Sequence, residues 1–238
     1  MPTALVCRNV GVSYSSYSSS RRLRRRVEVH ALKGVDLRLN DGDSLGLIGH
    51  NGSGKSTLLQ VIAGLLNPTE GEVLARATPR LLGVNAALNN RLTGRQNIDI
   101  GCLALGVPRS EIERVAADVA AFAELGDFLD LPVLSYSSGM RQRLAFSISA
   151  IVEPEIVLVD EALAVGDRAF KAKCLARLRE IRSAAGVVII ATHAMNEIQE
   201  TCNRAIWLHG GEVVLDGEPE TVIDAYEHSK RAVNRSLD

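Results

Sequence analysis

Gly49-His50-Asn51-Gly52-Ser53-Gly54-Lys55-Ser56-Thr57 decides how this chain is read. The stretch fits G-x-x-x-x-G-K-[ST], the pattern of a phosphate-binding loop. Ahead of it runs Ser44-Leu45-Gly46-Leu47-Ile48, short and apolar like a buried strand. Behind it, Leu58 to Leu66 has a helical pattern. Strand, loop and helix is the setting the motif requires. The glycines reach backbone torsions that a Cβ resists and let the main chain close on a ligand. Successive N–H groups then point inward at the positive end of the helix and form an anion cradle. Lys55 adds a point charge near the β- and γ-phosphates, and the Ser56 hydroxyl is an oxygen donor suited to Mg²⁺. The competing reading is a plain Gly-rich turn. At ordinary residue frequencies a chance match in a chain this long arises about once in a hundred.

The composition narrows the classes around that loop. With 238 residues and a hydrophobic fraction of 46%, the chain builds one large domain, or a domain with a subdomain, over a sizeable core. A net charge of −1 gives no global pull toward nucleic acid or an anionic membrane. Cys7, Cys102, Cys174 and Cys202 are far apart and form no C-x-x-C pair. That spacing speaks against a zinc site or a disulfide framework and suits a reducing cytosol. No apolar run approaches the ~20 residues that span a bilayer. Met1-Pro2-Thr3-Ala4 lacks the layout of a signal peptide. The expectation is a protein that is soluble, or peripheral through a partner.

From the N-terminus, Leu5 to Tyr14 reads as a strand that leads into a turn. Tyr14 offers a flat face on which an adenine ring can stack, or it is an ordinary strand aromatic. A serine-rich stretch, Ser15 to Ser20, is followed by Arg21-Arg22-Leu23-Arg24-Arg25-Arg26. Five arginines in six positions form the sharpest charge anomaly in the chain. It is either a solvated loop or a contact for lipid phosphates or an anionic substrate. Val27 to Asn40 alternates as a strand, and Glu72 to Ala75 is a short one. Between about Arg91 and Ile151 the pattern turns helical. Thr93 caps a first helix, Ile112, Val115, Val119 and Phe122 mark a second, and a third opens near Ser137. Buried strands return at Glu155–Glu161 and Gly186–Ala191, and a hairpin around His209-Gly210-Gly211 closes the fold before a final helix from Pro219. A helical insert thus sits between two α/β halves.

Three further places carry chemistry. Asp160-Glu161 ends a core strand, where open α/β sheets hold their ligands. Asp160 is placed to hold the Mg²⁺ shell, and Glu161 to orient and deprotonate an attacking water. His193 ends the next buried strand and is placed to reach a γ-phosphate. Tyr136-Ser137-Ser138-Gly139-Met140 opens a helix with small residues, a second start that suits an anion. Two copies facing head to tail would let this segment in one close on the phosphate held by the other.

Taken together these motifs resemble the nucleotide-binding subunit of an ABC transporter over nearly the whole chain. Gly49 to Thr57 matches the family's Walker A, and Ile156 to Asp160 its Walker B, with Glu161 as the catalytic glutamate. Ser137-Ser138-Gly139-Met140 is a variant of the signature, and Ala164-Val165-Gly166-Asp167 matches the D-loop. His193 is the switch histidine, and Tyr14 lies where the adenine-stacking aromatic lies. Tyr136 to Met140, Arg143-Leu144-Ala145-Phe146, Asp160 to Asp167 and Thr93 to Asn97 are similar to the branch that exports O-antigen, teichoic acid and capsule chains. No glutamine stands at the expected Q-loop place, where Val84-Asn85 is nearest. The chain also ends before the C-terminal carbohydrate-binding β domain that some members carry.

The resemblance implies an α/β P-loop NTPase with a RecA-like core, an antiparallel β subdomain and an α-helical subdomain. Residues 1–90 would hold the β subdomain and Walker A half, 91–151 the helical subdomain, and 152–238 the Walker B half and tail. It implies ATP and Mg²⁺ as ligands, with Gly49, His50, Asn51, Gly52, Ser53, Gly54, Lys55, Ser56, Thr57 and Asp167 among the nucleotide contacts. It implies a homodimer beneath two copies of a membrane permease at the cytoplasmic face of a bacterial plasma membrane, moving a lipid-linked glycan and binding no nucleic acid. The alternatives are an ATPase of another ABC transporter type, or a soluble ABC-type ATPase acting on DNA or ribosomes. The soluble type calls for coiled-coil insertions or tandem cassettes, and the chain has neither pattern.

Overall fold

The computed structural model describes residues 2–17, 26–82, 88–151, 154–160 and 168–235. The arginines Arg21 to Arg25, the Val84-Asn85 position and Glu161 to Asp167 lie outside the described residues. The chain forms two compact units: Met1–Leu81 with Glu155–Glu161 and Gly186–Asp238, and Leu82–Pro154 with Ala162–Ala185.

The first unit is built on two sheets. β1 (Thr3–Tyr17) and β2 (Arg26–Asn40) form a long antiparallel hairpin, and β4 (Glu70–Ala75) pairs with β1 on its other side. β4 reaches only from Leu5 to Gly11, so beyond Ser13 the hairpin is two strands wide. The sequence suggests that the first strand turns off after Tyr14. It continues to Tyr17 because β2 keeps supplying partners, Tyr14 facing Val29 and Tyr17 facing Arg26.

The second sheet carries β3 (Ser44–Ile48), β5 (Arg80–Leu82), β6 (Ile156–Asp160), β7 (Val187–Ala191), β8 (Arg204–His209) and β9 (Glu212–Gly217), in the order β5-β6-β7-β3-β8-β9. β6, β7, β3 and β8 run parallel, and β9 returns antiparallel to β8. Parallel strands are covered on both faces, so they read as continuous apolar runs rather than alternating ones. Ile156 to Val159 and Val187 to Ala191 are buried throughout. α1 (Lys55–Ile62) lays Leu58, Leu59, Val61 and Ile62 into the same core as Leu5, Leu39, Leu45 and Leu47. α6 (Met195–Thr201) and α7 (Pro219–Arg235) complete this unit. Gly46 is needed on β3, since a Cβ there would lie 2.6 Å from Cγ2 of Ile198 on α6.

The second unit is helical, with α2 (Gly94–Ala104), α3 (Ile112–Ala123), α4 (Ser138–Ser149) and α5 (Arg168–Ala184). Thr93 caps α2 as the sequence predicts. Its hydroxyl accepts from Gln96 N at 3.2 Å, and the Gln96 side chain accepts from Thr93 N at 3.0 Å, a reciprocal capping box. Val115 and Val119 of α3 pack with Ile98, Cys102, Leu144 and Ile148. Phe122, Phe146 and Phe170 meet with ring centroids 5.8–6.4 Å apart, and the Arg143 guanidinium sits 4.6 Å over the Phe170 ring. All four cysteines are buried. Burial pushes the Cys7 thiol up to about 12 and the Cys174 thiol to about 11, so both stay neutral and behave as small apolar residues.

Phe146 is fully buried and touches both other rings of its cluster. Phe146→Ala should therefore cost about 3–5 kcal/mol, the usual range for a deleted core phenylalanine. Urea unfolding reads this as a lower midpoint, and a loss below about 1 kcal/mol would mean that the three rings do not form a packed core.

Candidate functional site

Sheet order brings the chemistry-bearing residues to one edge. β3 lies between β7 and β8, with Leu47 beside Ala191, and β6 lies on the far side of β7, with Asp160 beside that same Ala191. Leu47, Ala191 and Asp160 therefore form one row across three strands, spanning about 10 Å from first to last. All three strands leave that row in the same direction. Gly49, Asp160 and His193 thus stand at the carboxyl edge, where open α/β sheets form their ligand crevice.

The loop from Gly49 to Gly54 is shaped by its glycines. Gly49, Gly52 and Gly54 have φ of 155°, 81° and 109°. At Gly49 a Cβ would lie 2.4 Å from the Leu208 carbonyl oxygen, and at Gly54 it would lie 2.7 Å from that of Ala31. α1 begins at Lys55 with Gly54 as its cap and no side-chain cap bond, so its first N–H groups face the loop without a capping side chain. The Lys55 side chain folds back over the loop. Nζ donates to the carbonyls of Gly49 at 2.7 Å and His50 at 3.1 Å. Ser53 is buried, and its hydroxyl has no hydrogen-bond partner among the described residues. Ser56 is exposed at the start of α1, and Thr57 is half-buried behind it. A cradle of N–H groups and a buried ammonium fit an anionic phosphate group, and the Ser56 hydroxyl and Asp160 carboxylate are oxygen donors of the kind a hard cation takes.

His193 is the second component. Its Nε2 lies 2.9 Å from the Asn51 side-chain oxygen, joining the end of β7 to a loop 142 residues earlier in the chain. As Asn51 Oδ1 accepts, His193 Nε2 carries the hydrogen in this contact. Asp160 is half-buried at the end of β6, and Tyr14 stands 45% exposed on the hairpin. Glu161 and Asp167 lie outside the described residues. The remaining segment belongs to the second unit. Ser137 caps α4, its hydroxyl accepting from Met140 N at 3.2 Å, with Ser138 exposed and Gly139 and Met140 half-buried. A cleft of about 780 Å³ borders this helix start, walled by Phe128, Gln142 and Arg143. Within one chain, then, the loop, Asp160, His193 and Tyr14 share the first unit, and Ser137 to Met140 stands in the other.

One neighbour of the loop is invisible in the sequence. The His50 ring packs edge-on against His209 with centroids 5.0 Å apart, and Gly211 N donates to the Ser53 carbonyl at 3.1 Å. The turn between β8 and β9 is thus part of the loop's surroundings. No motif marks it, because a lone histidine in a Gly-rich turn has the look of a surface residue.

The ABC transporter family model matches residues 32–164. The teichoic acids export ATP-binding protein TagH of Shouchella clausii is 42% identical over 84% of this chain and 56% of its own length. TagH of Staphylococcus epidermidis is 41% identical over 83% of the chain and 75% of its own length. The ABC transporter protein AbcA of Aeromonas salmonicida is 42% identical over 82% and 64%. The chain thus spans about half to three quarters of the length of these curated relatives. Among solved structures, a dimeric ATP-binding cassette in a post-hydrolysis state bound to ADP and Pi superposes with a TM-score of 0.70 at 25% identity, covering 90% of this chain and 98% of that one. The ATP-binding subunit of an ABC transporter has the same fold, with a TM-score of 0.72 at 22% identity over 94% and 93%. A two-unit fold with the loop of Gly49 to Thr57 set at the edge of a parallel sheet, and relatives of this closeness over more than four fifths of its length, place the chain in the ABC transporter family.

Proposed function

We propose that this chain is the ATP-hydrolysing subunit of an exporter that moves a lipid-linked polysaccharide, of the teichoic-acid, O-antigen or capsule type, across a bacterial plasma membrane. The observation that carries the ATPase reading is the contact of His193 with Asn51, which joins the loop to the end of the strand beside Asp160's. A phosphate seated in the loop then has a histidine within reach of its outer edge. The export reading rests on the relatives: TagH of Shouchella clausii and TagH of Staphylococcus epidermidis, at 42% and 41% identity, are both named for teichoic acid export.

In this reading the N–H groups of Gly52 to Lys55 and the Lys55 ammonium hold the β- and γ-phosphates, and Tyr14 stacks on the adenine. Ser56 and Asp160 are the oxygen donors for Mg²⁺, which when bound neutralises phosphate charge. Glu161 takes the proton from the attacking water, and His193 holds the γ-phosphate side. Ser137 to Met140 of a second copy, together with its Asp167, closes over the nucleotide, so the working unit is a homodimer. No helix among the described residues is long and apolar enough to cross a membrane. In this reading the membrane path is supplied by a separate permease in two copies, with this chain on its cytoplasmic face. The relation of closure to transport is a population shift: nucleotide must favour the closed pair by a few kcal/mol over the open one to move the equilibrium usefully.

Two variants test this. Lys55→Ala removes the charge that meets the phosphates and should abolish binding of a fluorescent ATP analogue; retained micromolar affinity would overturn the loop assignment. Glu161→Gln should bind ATP, hydrolyse it poorly and accumulate as a dimer on size exclusion at saturating ATP. A variant that stays monomeric there would rule out the two-copy site.

A further inference from the structure

The phosphate loop is braced from outside by a row of rings. His50 projects from the loop and meets His209, in the turn between β8 and β9, at 5.0 Å and 75°. Behind His209 stands Trp207 at 6.3 Å and 72°, and behind Trp207 stands Tyr226 of α7 at 5.8 Å and 67°. The Lys230 ammonium lies over the Tyr226 ring, 4.7 Å from its centroid. Each contact is edge-to-face, the arrangement in which the positive rim of one ring meets the negative face of the next. Among the described residues the Trp207 Nε1 and Tyr226 hydroxyl have no hydrogen-bond partner, so packing is what these rings share with their neighbours.

The row ends on an atom that matters to the site. His50 Nδ1 lies 2.6 Å from the Asn51 carbonyl oxygen. A carbonyl only accepts, so Nδ1 carries the hydrogen and the ring plane is tied to the Asn51 peptide. The side chain of that same Asn51 meets His193. Around this point the loop and the turn are also joined through backbone. Gly211 N donates to the Ser53 carbonyl, Lys33 N donates to the Gly211 carbonyl at 2.9 Å, and Gly49 passes so close to Leu208 that no Cβ fits between them. Backbone contacts fix the two ends of the loop, and the ring contact fixes its middle.

We propose that His209 is a positioning residue for the phosphate loop, acting through His50 to hold the Asn51 peptide, and with it the Asn51 side chain, in the conformation that receives nucleotide. The proposal rests on the nucleotide reading above and adds a residue outside every motif. His209 touches no reacting atom; it removes alternative loop conformations, so its loss lowers the fraction of molecules ready to bind. Apparent affinity falls in proportion to that fraction.

The test is binding of a fluorescent ATP analogue to the full chain, with steady-state ATPase measured beside it. His209→Ala should weaken binding roughly three- to tenfold, the range that one aromatic edge contact controls, and raise KM by a similar factor while kcat changes less than about twofold, since a preorganised fraction is lost and the chemistry is not. His209→Phe restores a ring without the imidazole nitrogens and should recover binding to within about twofold of wild type. Because the contact is already lost in either single variant, His50→Ala combined with His209→Ala should bind no more weakly than His50→Ala alone. Wild-type affinity in His209→Ala, failure of His209→Phe to recover it, or additive losses in the double variant would each overturn the brace. Lys55→Ala separates the two claims. If it loses binding while His209→Ala does not, only the brace falls; if it binds like wild type, the nucleotide reading falls and the brace with it.

Discussion

A buried ammonium facing its own loop is the constraint on which the site depends. Lys55 is 9% exposed, and its Nζ sits on the carbonyls of Gly49 and His50. An unsolvated cation is costly unless oxygen atoms surround it, so the loop must curl until its carbonyls reach inward to Nζ while its later N–H groups face out from the start of α1. Only a backbone with positive φ at Gly49, Gly52 and Gly54 makes that curl. The curl in turn leaves no room for side chains where the loop passes Leu208 and Ala31. Each of those three glycines costs roughly 0.5–1 kcal/mol of extra chain entropy on folding. The buried strand and helix that flank them offset that cost: Leu45, Leu47 and Ile48 of β3 and Leu58 and Leu59 of α1 are essentially inaccessible, and one fully buried leucine contributes about 1.5–3 kcal/mol.

Much of this was legible in the sequence, for a local reason. The phosphate loop is one continuous segment whose residue types are dictated by torsion and charge, so its role can be read without knowing the fold. The same holds for Thr93 and Gln96, which cap α2 across three residues, and for Val187 to Ala191, whose unbroken apolar run suits only a strand covered on both faces. Where the reading stopped short, the cause was non-local. β1 runs on to Tyr17 because β2 pairs with it there, and nothing within Ser15 to Tyr17 itself favours a strand. β5 is three residues long and left no pattern in the stretch from Thr78 to Asn90. His209 shares the neighbourhood of His50 only because β8 lies beside β3, an adjacency that no spacing rule announces.

The contact between His193 and Asn51 shows what strand order adds to a list of motifs. Read from the chain, His193 is a histidine after an apolar run, and Asn51 is one of the variable positions of its motif. In the sheet, β7 is the strand between β3 and β6, so the residue two steps past Ala191 meets the loop that begins two steps past Leu47. The pair therefore follows from parallel register: equal rise along neighbouring strands carries both chains to the same height above the row. Moving β7 by one residue would turn its next side chain to the other face of the sheet and remove the contact. The place of His193 past the end of β7 is thus specified by the pairing of Val188 with Ser44 and of Ile189 with Leu45, in the floor of the core.

The same logic separates what one chain can supply from what it cannot. Residues placed by the parallel sheet share a rigid row, and their mutual distances are set by strand spacing. Ser137 to Met140 opens a helix of the other compact unit, where its geometry is governed by Tyr136 and the packing of α4 against α2 and α3. Tyr136 is buried, its hydroxyl donates to the Phe128 carbonyl at 2.6 Å, and a Cβ at Gly94 would clash with it. The helix start is therefore as firmly held as the phosphate loop, by an unrelated set of contacts. Each helix start is held by contacts within its own unit, and a site held that way orders few side chains when a ligand meets it.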